Sequence, residues 1–261
     1  MAMKKTSNIE RTTLNIKDGG IKILEYLIKD INKLGKQAKV SINEKWFMVY
    51  TLIGTEGDYR GFKVIRIPTS EIFVDVKNIS LQWVTLDLKH WITGLGYLGG
   101  IGKLVLSHVA GEENVFNIDI MDSVLELSYG CDNPDSIRNI SWEEVEGQLA
   151  AISCEVEIST TGEAISKAKK LMKMSEDEII VLKHRAGKAF IGTNSWTFEI
   201  GNTLSSSEKK DTEFTIRGKY INSISSKSDH VTLAVYENRV AVRDNSLLPS
   251  LYLFPLELMD I

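Results

Sequence analysis

The chain has 261 residues, a net charge of −4 at pH 7, and 43% hydrophobic and 25% charged residues, which is the composition of a globular protein with room for two domains. Two cysteines exclude a disulfide framework, and no apolar run reaches the roughly 20 residues that a membrane-spanning helix needs. Lysines without a following apolar segment open the chain, in MAMKKTSNIERTT, so we expect no secretory signal and a cytoplasmic location.

The first predicted helix, at 20–35, carries lysines along one side. At about 100° per residue, its lysines fall within roughly 40° of the first of them, and isoleucines and leucines cover the opposite arc. These lysines are Lys22, Lys29, Lys33 and Lys36. A single helix of this kind is most simply a solvated face, because lysine is the usual exposed helix residue.

Short strands of alternating or β-branched residues dominate the rest of the chain. In the first half we predict strands at 39–52, 62–67, 71–76, 103–109, 115–120 and 123–130, and a second helix at 88–97. Turn residues and acids make 131–151 a connector. In the second half we predict strands at 152–159, 178–183, 188–192, 196–200, 213–217, 230–236, 239–244 and 250–256, and helices at 162–174 and 218–227.

The two halves have the pattern of two copies of one unit. The segment LNIKDGGIKILEYLIK (14–29) corresponds to VEISTTGEAISKAKKLMK (156–173), each a short strand, a glycine-containing turn and an amphipathic helix. The sequence therefore predicts an α+β protein of two similar domains, each with β-sheets and two short helices on one face. The domains are expected at 1–130 and 152–261, joined by the connector 131–151.

Charge sign follows the predicted secondary structure. The predicted helices are net basic, whereas acids collect in loops and in the connector, at 112–113, 143–146 and 176–178. Solubility alone would not sort the signs in this way, but binding to phosphates favours lysine and arginine on the facing surface. No helix places Asn, Gln and Arg to read base edges, so this pattern indicates binding without sequence preference.

Enzyme signatures are absent or out of context. GLGYLG (94–99) has the G-x-G-x-x-G spacing but follows a helix, whereas a dinucleotide site needs a strand followed by a helix. The four histidines are scattered and make no metal-binding motif, and no G-x-S-x-G occurs. We therefore expect a binding protein rather than an enzyme, with no cofactor and no metal.

Two basic-helix units in a chain of this length resemble the sliding-clamp family of DNA polymerase processivity factors. The resemblance is to the trimeric type, which includes proliferating cell nuclear antigen and the T-even phage clamps. The best local match is the closing stretch HVTLAVYENRVAVRDNSLLPSLYLFPLELMD, three short strands and a tail. The resemblance implies a homotrimeric ring around duplex DNA that serves a DNA polymerase and a clamp loader, in a bacterial or phage-infected cell and associated with the nucleoid.

The resemblance also implies which residues act. Helices beginning near Gly20, Leu88, Gly162 and Gly218 would line the DNA channel. Their channel-lining lysines would be Lys22, Lys29, Lys33, Lys36, Lys89, Lys170, Lys173, Lys219 and Lys227. Lys167 and Lys169 fit this set less well, because of their helical phase.

By the same resemblance, the connector would dock peptides of partner proteins through Ile137, Ile140 and Trp142. The connector departs from the family pattern in its length and in Trp142, whose bulk could fill the peptide pocket rather than line it. A second interpretation is that Trp142 is buried and fixes the loop to its own domain. For assembly, SVLELSYG (123–130) is expected to pair with an edge near 189–200 of a second copy.

Two alternatives remain open at this point. One is a clamp-fold processivity factor that works as a monomer or dimer and touches DNA from one side. The other is a two-domain β-rich interaction protein that does not bind DNA and whose lysines are only solvated. Mass in solution separates the ring from the one-sided factor, and salt-dependent DNA binding separates both from the third interpretation.

Overall fold

A computed structural model of the chain describes residues 8–55, 58–85, 87–98, 102–137, 141–175, 178–206, 211–225, 227–244 and 249–256. The chain forms two compact units. Unit 1 consists of residues 1–51 and 65–139, and unit 2 consists of residues 52–64 and 140–261. In the described ranges, no helix combines the length and apolar character needed to cross a membrane.

Unit 1 contains two groups of antiparallel strands and two main helices. One sheet has the strand order β1-β6-β7-β8, and the other group has the order β4-β3-β2-β5. The elements are β1 (Ile9–Asn15), α1 (Gly20–Asn32), β2 (Ala38–Asn43), β3 (Trp46–Thr55), β4 (Asp58–Pro68), α2 (Thr69–Ile72), β5 (Ser80–Thr85), α3 (Leu88–Tyr97), β6 (Lys103–Val109), β7 (Val115–Met121), β8 (Glu126–Gly130) and a 3₁₀ turn (Pro134–Ser136). Helices α1 and α3 pack against each other.

Aromatic side chains form a continuous series through the core of unit 1. Ring centroids lie 5.7 Å apart for Phe73 and Phe47, 6.4 Å for Phe47 and Trp83, and 6.4 Å for Trp83 and Trp91. Tyr129 of β8 continues the series, 6.0 Å from Trp91 of α3. These contacts join strands β3, β5 and β8 to helix α3, so they fix the position of α3 within the unit.

Unit 2 repeats the arrangement with the strand order β13-β10-β11-β12-β9-β14-β15-β16-β4. Its elements are α4 (Trp142–Ala150), β9 (Val156–Thr160), α5 (Gly162–Ser175), β10 (Ile179–Arg185), β11 (Lys188–Gly192), β12 (Thr197–Ser206), β13 (Thr212–Arg217), α6 (Gly218–Ser223), β14 (Val231–Tyr236), β15 (Arg239–Asp244) and β16 (Ser250–Pro255). Helices α5 and α6 pack together, as α1 and α3 do in unit 1. The α+β fold class is confirmed.

The end of the β3–β4 hairpin, residues 52–64, belongs to unit 2 and lies beside β16. Only glycine fits at position 61, because a Cβ there would clash with the carbonyl oxygen of Leu253. Next to it, the ammonium of the buried Lys63 lies 4.2 Å from the ring centroid of Tyr252. A cation placed over an aromatic face is stabilised by the ring quadrupole, which helps to keep this charge in the core.

Three sequence predictions about single elements were wrong. The strand predicted at 39–52 is two strands, because the side chain of Asn43 accepts bonds from the amides of Lys45 (2.9 Å) and Trp46 (2.8 Å) and turns the chain. No strand forms at 71–76: the helical turn α2 ends at Ile72, and Phe73 makes only an isolated bridge with Ile16. Strand β5 was missed, although its leucine, tryptophan and valine side chains fill the core.

The prediction for the connector missed a helix. It contains the helix α4, whose N-cap Ser141 accepts a bond from the amide of Glu144 at 3.0 Å. The change from unit 1 to unit 2 lies between residues 139 and 140, within the predicted connector.

Candidate nucleic-acid interface

Helix α1 presents its lysines to solvent, as its periodicity predicts. Leu24, Leu27 and Ile31 are fully buried, whereas Lys22 and Lys29 are exposed on the opposite side. The helix ends at Asn32, earlier than predicted, and Lys33 forms its C-cap. Lys36 is exposed in the segment after the helix, so it does not continue the line of lysines on the helix surface.

Local acids offset part of this charge. Lys29 forms an ion pair with Glu25 one turn earlier, and Lys33 forms one with Asp30 at 3.2 Å. The side chain of Asp30 is only 4% exposed, so its carboxylate lies close under the lysine side of the helix. Lys22 and Lys36 pair with no described residue, and they are the stronger candidates for an external anion.

Lys36 and Lys89 lie at the same end of the α1–α3 pair. The amide of Leu88, the first residue of α3, donates to the carbonyl of Lys36 at 3.4 Å. Asp87 caps α3 by accepting from the amide of Lys89 at 2.9 Å and also contacts the His90 ring at 3.1 Å. The Lys89 side chain is exposed and pairs with no described residue.

In unit 2, neighbouring lysines of α5 do different things. Lys170 and Lys173 are exposed. Lys169 instead turns toward the end of α6, where its Nζ donates to the carbonyl of Asn222 at 3.0 Å and also to that of Ile224. Lys167 pairs with Glu163 at 2.8 Å. The sequence placed Lys167 and Lys169 outside the main set, and their local contacts give each a structural role.

A cavity of about 390 Å³ lies where the last turn of α5 meets the start of α6. Lys173 and Lys219 line it together, so the structure brings these two predicted residues to one place. Glu178 and Arg217 line it as well. Neither residue was among the predicted binding residues, although Arg217 directly precedes the helix predicted at 218–227. Glu176 and Asp177 lie outside the described residues.

Lys227 is exposed in the segment that follows α6, which ends at Ser223 rather than at residue 227. Its backbone amide donates to Ser225 Oγ at 3.2 Å. Lys227 therefore lies beyond the helix on which it was predicted.

The predicted partner-binding residues are inside the fold where they are described. Ile137 is 6% exposed and Trp142 is 8% exposed, and Ile140 lies outside the described residues. Burial of Trp142 agrees with the second interpretation of the connector, and partner binding through these residues stays a prediction. The start of the connector is held by the buried Lys39, whose Nζ donates to the carbonyl of Pro134 at 3.0 Å. Burial lowers the pKa of Lys39, and Asp135 opposes that shift.

Strand edges define where a second copy could pair. Strand β8 is an edge strand, since its only partner among the described strands is β7. In the segment 189–200, β11 is paired on both sides, with β10 and with β12. The 201–206 part of β12 pairs with β9, and the Ile200 carbonyl accepts from Thr160. The open edge within 189–200 is therefore limited, among described residues, to 197–199.

The two cysteines have no features of reactive thiols. Burial raises the pKa of Cys131 to about 12, and burial together with Glu157 raises the pKa of Cys154. Both thiols are therefore protonated at neutral pH. No group of three or more His, Cys, Asp or Glu side chains in the described ranges could hold a metal ion.

The chain has the sliding-clamp fold of solved PCNA structures. The PCNA of Thermococcus kodakaraensis matches with a TM-score of 0.66 and 12% identity, over 94% of this chain and 100% of the other. A PCNA2–PCNA3 complex from Sulfolobus tokodaii matches with a TM-score of 0.64 and 13% identity, over 94% and 99%. A. fulgidus PCNA with the C-terminal region of FEN-1 bound matches with a TM-score of 0.66 and 10% identity, over 95% and 100%. No protein-family model and no curated protein matches the sequence.

Proposed function

We propose that this chain is a DNA sliding clamp, a non-enzymatic processivity factor that encircles duplex DNA and tethers a DNA polymerase. The observation that carries the proposal is the position of the basic residues. In each unit a pair of packed helices buries its apolar side and exposes lysines. The sliding-clamp fold supports it, because each unit contains one such helix pair, α1–α3 in unit 1 and α5–α6 in unit 2.

Electrostatics supports binding to phosphates without sequence preference. All nine predicted lysines are exposed, and several of them make no ion pair with a described residue: Lys22, Lys36, Lys89, Lys170 and Lys173. Each cation that neutralises a phosphate releases counterions, so binding should weaken steeply with salt. Contacts of this kind exchange quickly and let a protein slide along DNA.

Self-association would close the ring. The edge strand β8 (Glu126–Gly130) and the open part of β12 at 197–199 are different surfaces of the chain, so pairing between them would be head-to-tail and could repeat from copy to copy. The ring is proposed to be a trimer of about 88 kDa, built from three chains of 29.3 kDa.

Partner proteins are proposed to be a DNA polymerase and a clamp loader, in the cytoplasm of a bacterial or phage-infected cell. The FEN-1 complex of A. fulgidus PCNA shows that a protein of this fold binds a partner's C-terminal region. Here the proposed docking segment is the connector, with Ile137, Ile140 and Trp142. Because Ile137 and Trp142 are buried, docking there would require this segment to open or the partner to contact its exposed rim.

The test of the ring combines mass with retention on DNA. The protein should behave as an 88 kDa species by light scattering and stay on circular DNA, but slide off once the circle is cut. Consecutive amides of an edge strand alternate between the neighbouring strand and the outside, so Glu126→Pro and Leu127→Pro form a matched pair. The variant whose lost amide points away from β7 should give folded monomers. The variant whose lost amide bonds to β7 should disturb the β7–β8 pairing. Trimers in both folded variants would refute this interface.

A one-sided clamp-fold factor is the second candidate, and one observation favours it. Strand β9 already occupies 201–206 of β12, which leaves an edge of only three residues, 197–199, among those described. Such a short edge gives a weak contact. A protein that stays at 29.3 kDa at high micromolar concentration and still stimulates a polymerase would establish this candidate.

A further inference from the structure

The cavity between α5 and α6 has the volume of a small-ligand site. Its volume of about 390 Å³ falls within the range of roughly 300–1,000 Å³ that is typical of ligand pockets. Met172 and Lys173 come from the last turn of α5, Glu178 from the segment before β10, and Arg217, Lys219 and Asn222 from the end of β13 and from α6.

The walls of the cavity are held in place by hydrogen bonds and by ring stacking. Lys169 binds two carbonyls at the end of α6, which ties α5 to α6. The amide of Gly218 donates to the carbonyl of Glu178 at 2.7 Å, which fixes the start of α6 to the segment before β10. Tyr220 stacks on Phe254 at 4.9 Å, with an interplanar angle of 8°. The cavity is therefore preorganised, which reduces the entropy lost on binding.

The lining charge selects an anion. Among the described residues, three with cationic side chains, Lys173, Arg217 and Lys219, line the cavity together with one acidic residue, Glu178. A guanidinium presents two parallel donors that match the oxygens of a phosphate, and ammonium groups add point charges. Since the Gly218 amide is already bonded to Glu178, the anion would be held by side chains rather than by the helix end.

We propose that this cavity binds one phosphate group, either of the DNA backbone or of a free phosphoester. The DNA source rests on the proposed function. Glu178 lowers the affinity, so the phosphate is held briefly. Unit 1 differs here, because the equivalent backbone bond, from the Leu88 amide, ends on Lys36 instead of Glu178.

The first experiment uses orthophosphate alone on the full chain, with the methyl resonance of Met172 as an NMR reporter of the cavity. Titration should shift this resonance, and the Kd should rise about tenfold in Lys219→Met, the loss of one charge-assisted contact. Glu178→Gln should lower the Kd several-fold, because it removes the carboxylate and keeps the shape. The control is Lys45→Met, a change of the same kind at an exposed lysine of unit 1 outside the predicted DNA-binding set, which should leave the Kd unchanged.

The second experiment repeats the series with a short duplex DNA. Tighter DNA binding by Glu178→Gln and weaker binding by Lys219→Met, each compared with the parent protein, together with unchanged binding by Lys45→Met, would assign the cavity to the DNA backbone. An orthophosphate site in a protein that does not bind duplex DNA would support the cavity and refute the clamp function. DNA binding that Lys219→Met and Lys45→Met leave equally unchanged, without an orthophosphate shift at Met172, would refute the cavity and leave the clamp function standing.

Discussion

Two adjacent lysines of α5 offer a sharp test of the assignment of roles on this helix. The Lys169 side chain donates to carbonyls at the end of α6, whereas the exposed side chain of Lys170 makes no hydrogen bond or ion pair with a described residue. The variants Lys169→Met and Lys170→Met each remove one charge from the same helix. Their long-range electrostatic effects are therefore matched, and only the local contacts differ.

The expected magnitudes follow from those contacts. A hydrogen bond that involves a charged group contributes about 1.5–3 kcal/mol to stability. The bond from Lys169 to Asn222 is exposed and counts for little, whereas the bond to Ile224 is partly buried. We therefore expect Lys169→Met to lower the free energy of unfolding by about 2 kcal/mol, or roughly 4–8 °C in Tm. A partnerless surface lysine changes stability by less than about 0.5 kcal/mol, so Lys170→Met should keep its Tm.

Thermal unfolding and DNA binding over a salt series measure the two effects separately. Lys170→Met should flatten the slope of log K against log salt by about 0.9, the loss of one phosphate contact. Lys169→Met should keep the slope at a temperature where it is folded. A Tm of Lys169→Met equal to that of the parent protein, or an equal loss of salt slope in the two variants, would refute these roles for Lys169 and Lys170.

Two further predictions concern unit 1. Gly94→Ala should destabilise by about 1–3 kcal/mol, because its Cβ would meet the Tyr129 hydroxyl, and Tyr129→Phe should recover part of that loss in urea unfolding. Gly96→Ala, with no atom within 4 Å of its Cβ, is the neutral or stabilising control, and equal losses in the two alanine variants would contradict the packing argument. Burial lowers the pKa of Lys39 in the folded protein below its usual 10.5. Between the two pKa values the unfolded chain binds more protons than the folded protein, so the contribution of Lys39 to the free energy of unfolding rises with pH. The free energy of unfolding of the parent minus that of Lys39→Met should therefore grow from pH 7 to pH 10, and a constant difference would count against a lowered pKa.

Periodicity was enough to predict which side of α1 is buried, because apolar residues at helical spacing have one stable position, against the core. It could not predict that α1 ends at Asn32, since the closing bonds from the Leu34 and Gly35 amides both go to the Ile31 carbonyl and depend on local geometry. The α4 helix had a readable signal, Ser141 followed three residues later by Glu144, which is a capping pattern.

Unlike the helix ends, the cavity could not be predicted from any local sequence pattern. Lys173 and Lys219 are far apart in the chain and meet only because α5 packs against α6, so no local pattern reports their distance. The same holds for the open edge at 197–199, which depends on how far β9 extends along β12. Contacts between distant segments are set by packing, and a single sequence carries little information about them.

The assignment of residues 52–64 to unit 2 has a consequence for how the chain folds. Gly61 lies against Leu253, which follows it 192 residues later, so unit 2 is complete only when both residues 52–64 and strand β16 are present. Closing so long a loop is entropically costly, and pairings of this kind form late. During synthesis the β3–β4 hairpin leaves the ribosome long before β16. Until β16 arrives, the edge of β4 that it will cover can pair with other chains, so incomplete chains of this protein should be prone to aggregation.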